Sequence, residues 1–410
     1  MTSMTFAPVP AAAAVDYSST LIVVVELSGT SWVVGAQVPG DVPGRKPKRT
    51  LEASLGALLS ALAGHEARAL AADHRIARRI VAFEAGYSGF WLARALRARG
   101  IEVYVIHPAS VPVSRPGRRA KSDRIDVDLL MRTLLAWLRG EPRACSMVPI
   151  PDLAEEDARQ AVREREDLVS KRTALTNQVK SLLVTQGITG YEPRRTGRYD
   201  RLAELRGPDG APPPPLLLAR IKRLLAQLDL LDQQIGVLEA ERDAVPRRVE
   251  QARKAAAETA AKAAAPVVDP VAPDSAEAMI TSLVKLRGVG IQSATVLARE
   301  AFVRPIGSGR ALGAYAGLTG TPYSSGGQER EQGISKAGNR RLRAAMVELA
   351  WLWCRYQSDS ALSRWYLERT RGVRGRMRKV MIVALARKLL VALWRYATRG
   401  VVPEGAAVAP

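Results

Sequence analysis

The chain has 410 residues, 47% of them hydrophobic, and carries a formal net charge of +21 from 61 Lys and Arg against 40 Asp and Glu. That length allows two or three domains with real cores. The cationic excess is more than an enzyme of small metabolites needs and points to a polyanion, whose counterions are released on binding. No apolar run of about 18 residues exists to span a bilayer, so no membrane partner is expected. Residues 1–20 lack the basic start of a secretory signal and read as a disordered tail. Cys145 and Cys354 stand alone, with no disulfide framework or zinc knuckle to build, and a cytoplasmic protein is expected. Only three histidines occur, His65, His74 and His107. None lies near a nucleophile motif, so acid–base and metal chemistry falls to carboxylates.

Along the chain, LIVVVEL at 21–27 and SWVVGAQV at 31–38 are short β-branched runs and predict two paired strands. Residues 51–72 have helical spacing rich in Ala and Leu. RRIVAFEAG at 78–86 predicts a strand, FWLARALRARG at 90–100 a helix stopped by Gly100, and EVYVIHP at 102–108 a strand closed by Pro108. Residues 123–139 return to helix. Strands that pair first and then alternate with helices predict an α/β fold of RNase H type over 21–150. Residues 151–262 are charged and helical. Leu168, Leu175 and Leu182 recur every seven residues, as do Leu217, Leu224, Leu231 and Leu238, with Ile221, Leu228 and Ile235 interleaved. That seam predicts a coiled coil, folded back on itself or paired with another subunit; an amphipathic helix on a globular core is the alternative. A Gly/Pro-rich break interrupts it at 190–215. An Ala/Pro-rich linker spans 263–275.

A mainly helical domain over 276–400 follows, then a short tail at 401–410. LVKLRGVGIQSATVLARE at 283–300 flanks Gly288 and Gly290 with two apolar helical runs. This pattern fits a helix-hairpin-helix whose tight turn offers backbone N–H groups to a phosphate. A purely structural αα-turn fits as well. Trp351, Trp353, Trp365 and Trp394 read as core residues rather than stacking platforms.

Four acids stand where this topology would gather them. Glu26 lies at the end of the first strand, Glu84 at the end of the strand at 78–86, and Asp123 and Asp126 one helical turn apart. Such a set suits a hard cation such as Mg²⁺, which takes oxygen ligands and keeps phosphate oxygens or water for the remainder. Asp128 is a spare acid turned away from Asp126. Arg115, Arg118, Arg119, Lys121 and Arg124 form a basic loop beside the pair, fit to hold a phosphodiester against those carboxylates. Further on, AGLTGTPYSSGGQEREQGISKAGNRRLR at 316–343 holds Ser324 and Ser325 before two glycines, followed by Arg330, Lys336, Arg340 and Arg341. By composition alone this is a flexible loop suited to phosphate.

KSDRIDVDLL at 121–130 with FEAG at 83–86, then LRGVG at 286–290, AGLTGTPYSSGG and GISKAGNRRLR, resemble the IS110 family of insertion-sequence transposases, relatives of the Piv invertases. The resemblance covers roughly 20–400 and keeps the family's order of motifs around the helical insert. It implies a RuvC-like domain whose acids, here Glu26, Glu84, Asp123 and Asp126, bind Mg²⁺, with Mn²⁺ as a substitute. It implies a serine, Ser325 or its neighbour Ser324, that forms a transient 5′-phosphoserine link to DNA. It also implies donor and target DNA and a noncoding bridge RNA as partners, a dimer or tetramer, and a place at the bacterial nucleoid. The family's first acid is usually Asp, whereas this strand reads VVVELSGTSW with Glu26. The extra methylene moves the carboxylate and demands a compensating shift. Two other readings use the same residues. One is a junction nuclease whose acids activate water. The other is a nucleic-acid scaffold without catalysis.

Overall fold

β1 (Thr20–Leu27) is apolar at every position from Leu21 to Val25 because both of its faces are covered, and all five of these side chains are fully buried. In the computed structural model it is the middle strand of a five-stranded sheet with β2 (Ser31–Gln37), β3 (Lys48–Glu52), β4 (Arg78–Glu84) and β5 (Glu102–Ile106), in the order β3-β2-β1-β4-β5. β2 runs antiparallel to β1 and β3, whereas β4 and β5 run parallel to β1. This is the mixed sheet expected of an RNase H-like layer. The structure describes residues 15–41, 48–111, 123–263, 266–325 and 328–409, with the backbone alone at 109, 123–124, 322–325 and 328–332. Of the tail expected at 1–20, residues 1–14 lie outside the described residues, as do Arg115, Arg118, Arg119 and Lys121, while Val15 packs against the core and Thr20 opens β1 rather than belonging to a disordered tail.

The alternation of β1 assigns its two faces. Leu21, Val23 and Val25 join Val81, Phe83, Val103 and Val105 under α1 (Leu55–Ala71) and α2 (Trp91–Arg97). Ile22 and Val24 join Ile80, Ala82 and Ile106 under α3 (Asp123–Leu138), which buries Val127, Leu130, Met131 and Leu134. The result is a three-layer α/β/α unit that ends at Glu156, within the short α4 (Leu153–Asp157). The helix expected from residue 51 starts later. Leu51 and Glu52 pair with Trp32 and Ser31 as part of β3, and the Ser54 hydroxyl, accepting from the Ala57 amide at 3.1 Å, caps α1. β3 presents only Leu51 to the core, so its five residues carry too little alternation to announce a strand.

A second unit begins at Asp157. α5 (Gln160–Val184) and α7 (Pro215–Asp243) pack against each other as an antiparallel pair. Val179 and Leu183 meet Ile221, Leu224, Leu225 and Leu228, and Leu168 meets Leu231 and Ile235. Arg165–Glu239 and Arg172–Asp232 pairs flank the seam at 2.5 and 3.2 Å. The heptad leucines therefore face a helix of the same chain. The Gly/Pro-rich break between them holds the short α6 (Arg198–Ala203), and α8 (Val245–Lys262) follows α7.

Beyond the linker come α9 (Ala276–Leu283), α10 (Ile291–Leu297), a π-helical turn at Ala298–Phe302 and α11 (Gly309–Tyr315). A hairpin of β6 (Gly320–Ser325) and β7 (Gln328–Ile334) precedes α12 (Arg340–Tyr356), α13 (Ala361–Thr370) and α14 (Arg376–Arg399). α14 is the hub, packing on α9, α11, α12 and α13 with Leu385, Leu389, Leu390 and Leu393 fully buried. Trp353 and Trp394 are core as expected. Trp351 is exposed, however, and Trp365 is half-buried beneath the cations of Arg369 and Lys388, each 4.9 Å from its ring. Residues 401–409, read as a tail, dock instead. Val408 bridges to Leu286, Ala409 N–H donates to Lys285 O at 2.7 Å, and buried Gln357 donates to Arg287 O and Ala407 O while accepting from Ala407 N–H. Among the described residues no helix is long and apolar enough to cross a membrane.

Leu228→Ala, at the centre of the α5–α7 seam, is expected to lower unfolding free energy by about 2–5 kcal/mol. Leu230→Ala, two residues on and 53% exposed, should stay within about 0.5 kcal/mol. Urea titration followed by helical circular dichroism checks both.

Candidate functional site

The parallel pairing of β1 with β4 runs in constant register to Val25↔Phe83, so the next step sets Glu26 beside Glu84 on adjacent strands. Both follow the parity of Ile22, Val24, Ile80 and Ala82, which fixes their side of the sheet as the one α3 covers. Both are half-buried and both are engaged in interactions. α3 starts at Asp123, and half-buried Asp126 immediately precedes Val127, whose side chain lies over Gly35 in β2. Among the described residues no three of His, Cys, Asp and Glu come together as a metal group, and the side chains of Asp123 and Arg124 lie outside them. The structure thus brings Glu26 and Glu84 together at adjacent strand ends, on the side of the sheet that α3 covers. The spare acid serves the framework instead. Asp128 forms an ion pair with Lys48 of β3 and ties α3 to the sheet edge.

In the second unit the serine segment is a hairpin rather than a loop. Ser324 pairs with Glu329 and Ser325 with Gln328, which puts Ser325 at the closing end of the ladder. Gly326 and Gly327 stand between the strands in sequence, and paired glycines are a hairpin signal that composition alone does not reveal. The side chains of Ser324, Ser325 and Arg330 lie outside the described residues.

The base of this hairpin rests on a buried polar network that sequence reasoning missed. Glu300, 1% exposed, sits in the π-helical turn and accepts from Asn339 Nδ2 at 2.8 Å and Arg163 Nε at 3.2 Å. The Tyr315 hydroxyl donates to Glu300 O at 3.0 Å and accepts from Asn339 and from Arg304. Asn339 also caps α12 through Leu342 N–H at 3.0 Å, while its own N–H donates to Tyr315 O at 2.7 Å. One asparagine thus joins the start of α12, the end of α11 and the buried acid. Gly338 makes the approach possible, because a Cβ there would lie 2.4 Å from Tyr315 O. Burial, with Arg304 close by, holds the Arg159 guanidinium below its ordinary value. Lys336 adopts a left-handed backbone (φ 55°), stabilised by Arg343 donating to its carbonyl at 3.0 Å. Left-handed non-glycine residues and π turns both concentrate at functional sites.

The other basic candidates divide. Lys336 and Arg340 are exposed, whereas Arg341 pairs with Glu166 of α5. In the α9–α10 hairpin Gly288 has φ +87° and its Cα packs on Tyr356, where a Cβ would stand 2.8 Å from the tyrosine Cβ. Gly290 is the N-cap of α10 with extended backbone. The backbone of 285–287 before this turn is bonded to the docked C-terminal segment. Both cysteines are free, and burial pushes their thiols up to about 11, which keeps them unreactive. His74 Nδ1 is 2.9 Å from Ser18 O, and burial holds the His65 imidazole below its usual value.

Two family models match the chain. The one described as transposase of the IS116/IS110/IS902 family covers residues 281–367, and a transposase model for the DEDD domain of IS110 covers residues 48–186. A putative transposase, y4rJ, of Sinorhizobium fredii is 42% identical over 97% of this chain and 96% of its own length. A probable family 20 transposase of Pseudomonas aeruginosa is 28% identical over 78% of this chain and 84% of its own. The transposase for insertion sequence element IS1328 of Yersinia enterocolitica is likewise 28% identical, over 79% and 85%.

Removing the buried acid strands Arg163 and Asn339. Glu300→Ala is therefore expected to lower the stability of the second unit by about 3–5 kcal/mol, and Glu300→Gln, which keeps one acceptor, by visibly less. Chemical denaturation of the two variants measures this, and a loss below about 1 kcal/mol for the alanine would refute the role given to the carboxylate.

Proposed function

Because the chain belongs to the IS110 family of insertion-sequence transposases, we propose that it cuts and rejoins DNA through a transient serine–DNA link, with a divalent metal held by the acids of the α/β unit. The observation that carries this reading is the position of Ser325 at the closing end of a short hairpin, beside Ser324, on a base rigidified by Glu300 and Asn339. A nucleophile must be presented, not packed, and a hairpin end anchored from below does that. Glu26, Glu84, Asp123 and Asp126 would hold Mg²⁺ or Mn²⁺, and the metal would neutralise charge on the scissile phosphate. The extra methylene of Glu26 falls near the end of β1, one residue before the strand stops, where Glu26 still pairs with Val33 of β2.

In the cleavage step the serine Oγ attacks phosphorus, an Oγ–P bond forms, and the bond from phosphorus to the 3′ oxygen breaks. The proton lost by the serine ends on the departing 3′ hydroxyl. The 5′-phosphoserine ester conserves the linkage, so the 3′ hydroxyl of the exchanged strand can attack it and release the serine without an added energy source. A noncoding bridge RNA would choose donor and target, and the net charge of +21 suits a protein that holds RNA and DNA together. A dimer or tetramer is the working form. Leu230 and Val237, exposed on the side of α7 away from α5, are available to a second copy.

DNA carrying an element end, incubated with the protein and Mg²⁺, is expected to yield an adduct that survives denaturant. Ser325→Ala should remove it by more than about a thousandfold, with Ser324→Ala as the matched comparison. Free 5′-phosphate ends with no adduct would instead assign the acids to water activation and end the serine reading. Glu84→Ala should abolish cleavage while leaving DNA affinity within about threefold.

A further inference from the structure

Alongside the base of the hairpin runs a groove of about 1330 Å³ in the second unit, distinct from every residue assigned above except Lys336. One wall is a single face of α14, whose sequence repeats every three to four residues. Arg376, Lys379, Arg387, Lys388 and Arg395 supply its cations. Val380, Val383, Ala384, Val391 and Ala392 fill the positions between them. Arg310 of α11 and Lys336 face them from the other wall, which reaches the hairpin at Gly320, Gly333 and Ile334. Among the described residues no acid lines the groove, and α14 contains none. Among the described residues none of these seven cations is in an ion pair. Arg163, Arg165 and Arg172 of α5 each have a carboxylate partner, whereas of these seven only Lys388 has a ring contact, over Trp365. Cations gathered on one cavity with no carboxylate to neutralise them form a site for an anion from outside.

We infer that this groove binds an unpaired nucleic-acid strand and leads it to the hairpin that carries Ser324 and Ser325. The charge selects a phosphodiester backbone. The floor selects against a duplex, which would turn only phosphates and base edges to the protein and leave a row of valines and alanines against water. An unpaired strand exposes sugar and base faces that cover such a floor while its phosphates reach the cations on both rims. Close packing keeps the groove in shape, since a Cβ at Gly309 would meet Val391 at 2.9 Å and one at Gly313 would meet Arg387 Nε at 3.2 Å. The inference rests on the reading of the chain as a strand-exchange enzyme, in which strands part from their complements.

The test uses the full chain, a labelled single-stranded oligonucleotide and its duplex, with affinity read by fluorescence anisotropy over a salt series. The groove variant is Arg376→Glu, Lys379→Glu and Arg395→Glu, all exposed positions. A charge-matched control carries Arg247→Glu, Lys254→Glu and Lys262→Glu on the exposed side of α8. The groove variant should lose at least tenfold in single-strand affinity, with duplex affinity falling no further than in the control. Its salt slope for single strand should shrink by about 2, the release expected for three phosphate contacts at about 0.7 each. Val383→Gln, which keeps every charge, should weaken single strand and leave duplex unchanged. Equal loss for both nucleic acids overturns the inference, as does an unchanged single-strand affinity. A change in oligomeric state in place of affinity also overturns it and gives the groove to a second copy of the chain. Adduct formation is scored separately. A wild-type adduct together with an unaffected groove variant sinks the groove and spares the serine, whereas strand binding with no adduct does the reverse.

Discussion

The pairing of β1 with β4 is the constraint on which the first unit turns. Once two strands run parallel at one register, the period of two decides every side chain's face. The same alternation that puts Leu21, Val23 and Val25 under α1 and α2 puts Ile22 and Val24 under α3. It carries on to the strand ends and leaves Glu26 and Glu84 side by side. The acids thus need no device of their own; the hydrophobic core places them. A one-residue slip of either strand would send its carboxylate to Phe83's side of the sheet, under α1 and α2, so the register and the juxtaposition of Glu26 and Glu84 are preserved or lost together.

How much of this is legible in the chain depends on how strongly each segment declares its period. β1, β4 and β5 are continuous apolar runs and declare themselves, as do the heptad leucines of α5 and α7. β3 does not, since KRTLE buries one side chain and abuts a helical run whose start is marked only by Ser54. The β6–β7 hairpin is hidden because its residues are polar, although its Gly-Gly pair and the alternation around it are visible. Glu300 is an inconspicuous residue at the end of LVKLRGVGIQSATVLARE. Nothing local marks it as buried, because its partners Arg163 and Asn339 lie 137 and 39 residues away. The acids stand out as a set because strand ends and helical spacing are local signals, while Asp128, the spare acid beside them, is a structural partner of Lys48.

The second unit solves a different problem, holding a polar hairpin steady on a helical base. A buried carboxylate is costly unless several donors converge on it. Here Arg163 of α5 and the asparagine that caps α12 donate to the carboxylate, while Tyr315 of α11 donates to the main-chain carbonyl of the same residue. Each partner belongs to a different stretch of chain, so seating one residue fixes three approaches at once. The left-handed Lys336 and the close contact at Gly338 are tolerable because that framework determines the backbone around them.

α14 opens with Arg376, Arg378 and Lys379 in its first turns, at the positive end of its own dipole, and has no acid to offset them. Each such placement works against the helix by roughly 0.3–1 kcal/mol at low salt. A polyanion laid across those residues reverses the sign of that contribution and, by mass action, stabilises the folded form over the unfolded one. Copies without nucleic acid are then the less heat-resistant and the more readily digested population. Turnover by cellular proteases would fall first on the unoccupied enzyme, and the amount of protein that persists would track the amount of nucleic acid available to hold it.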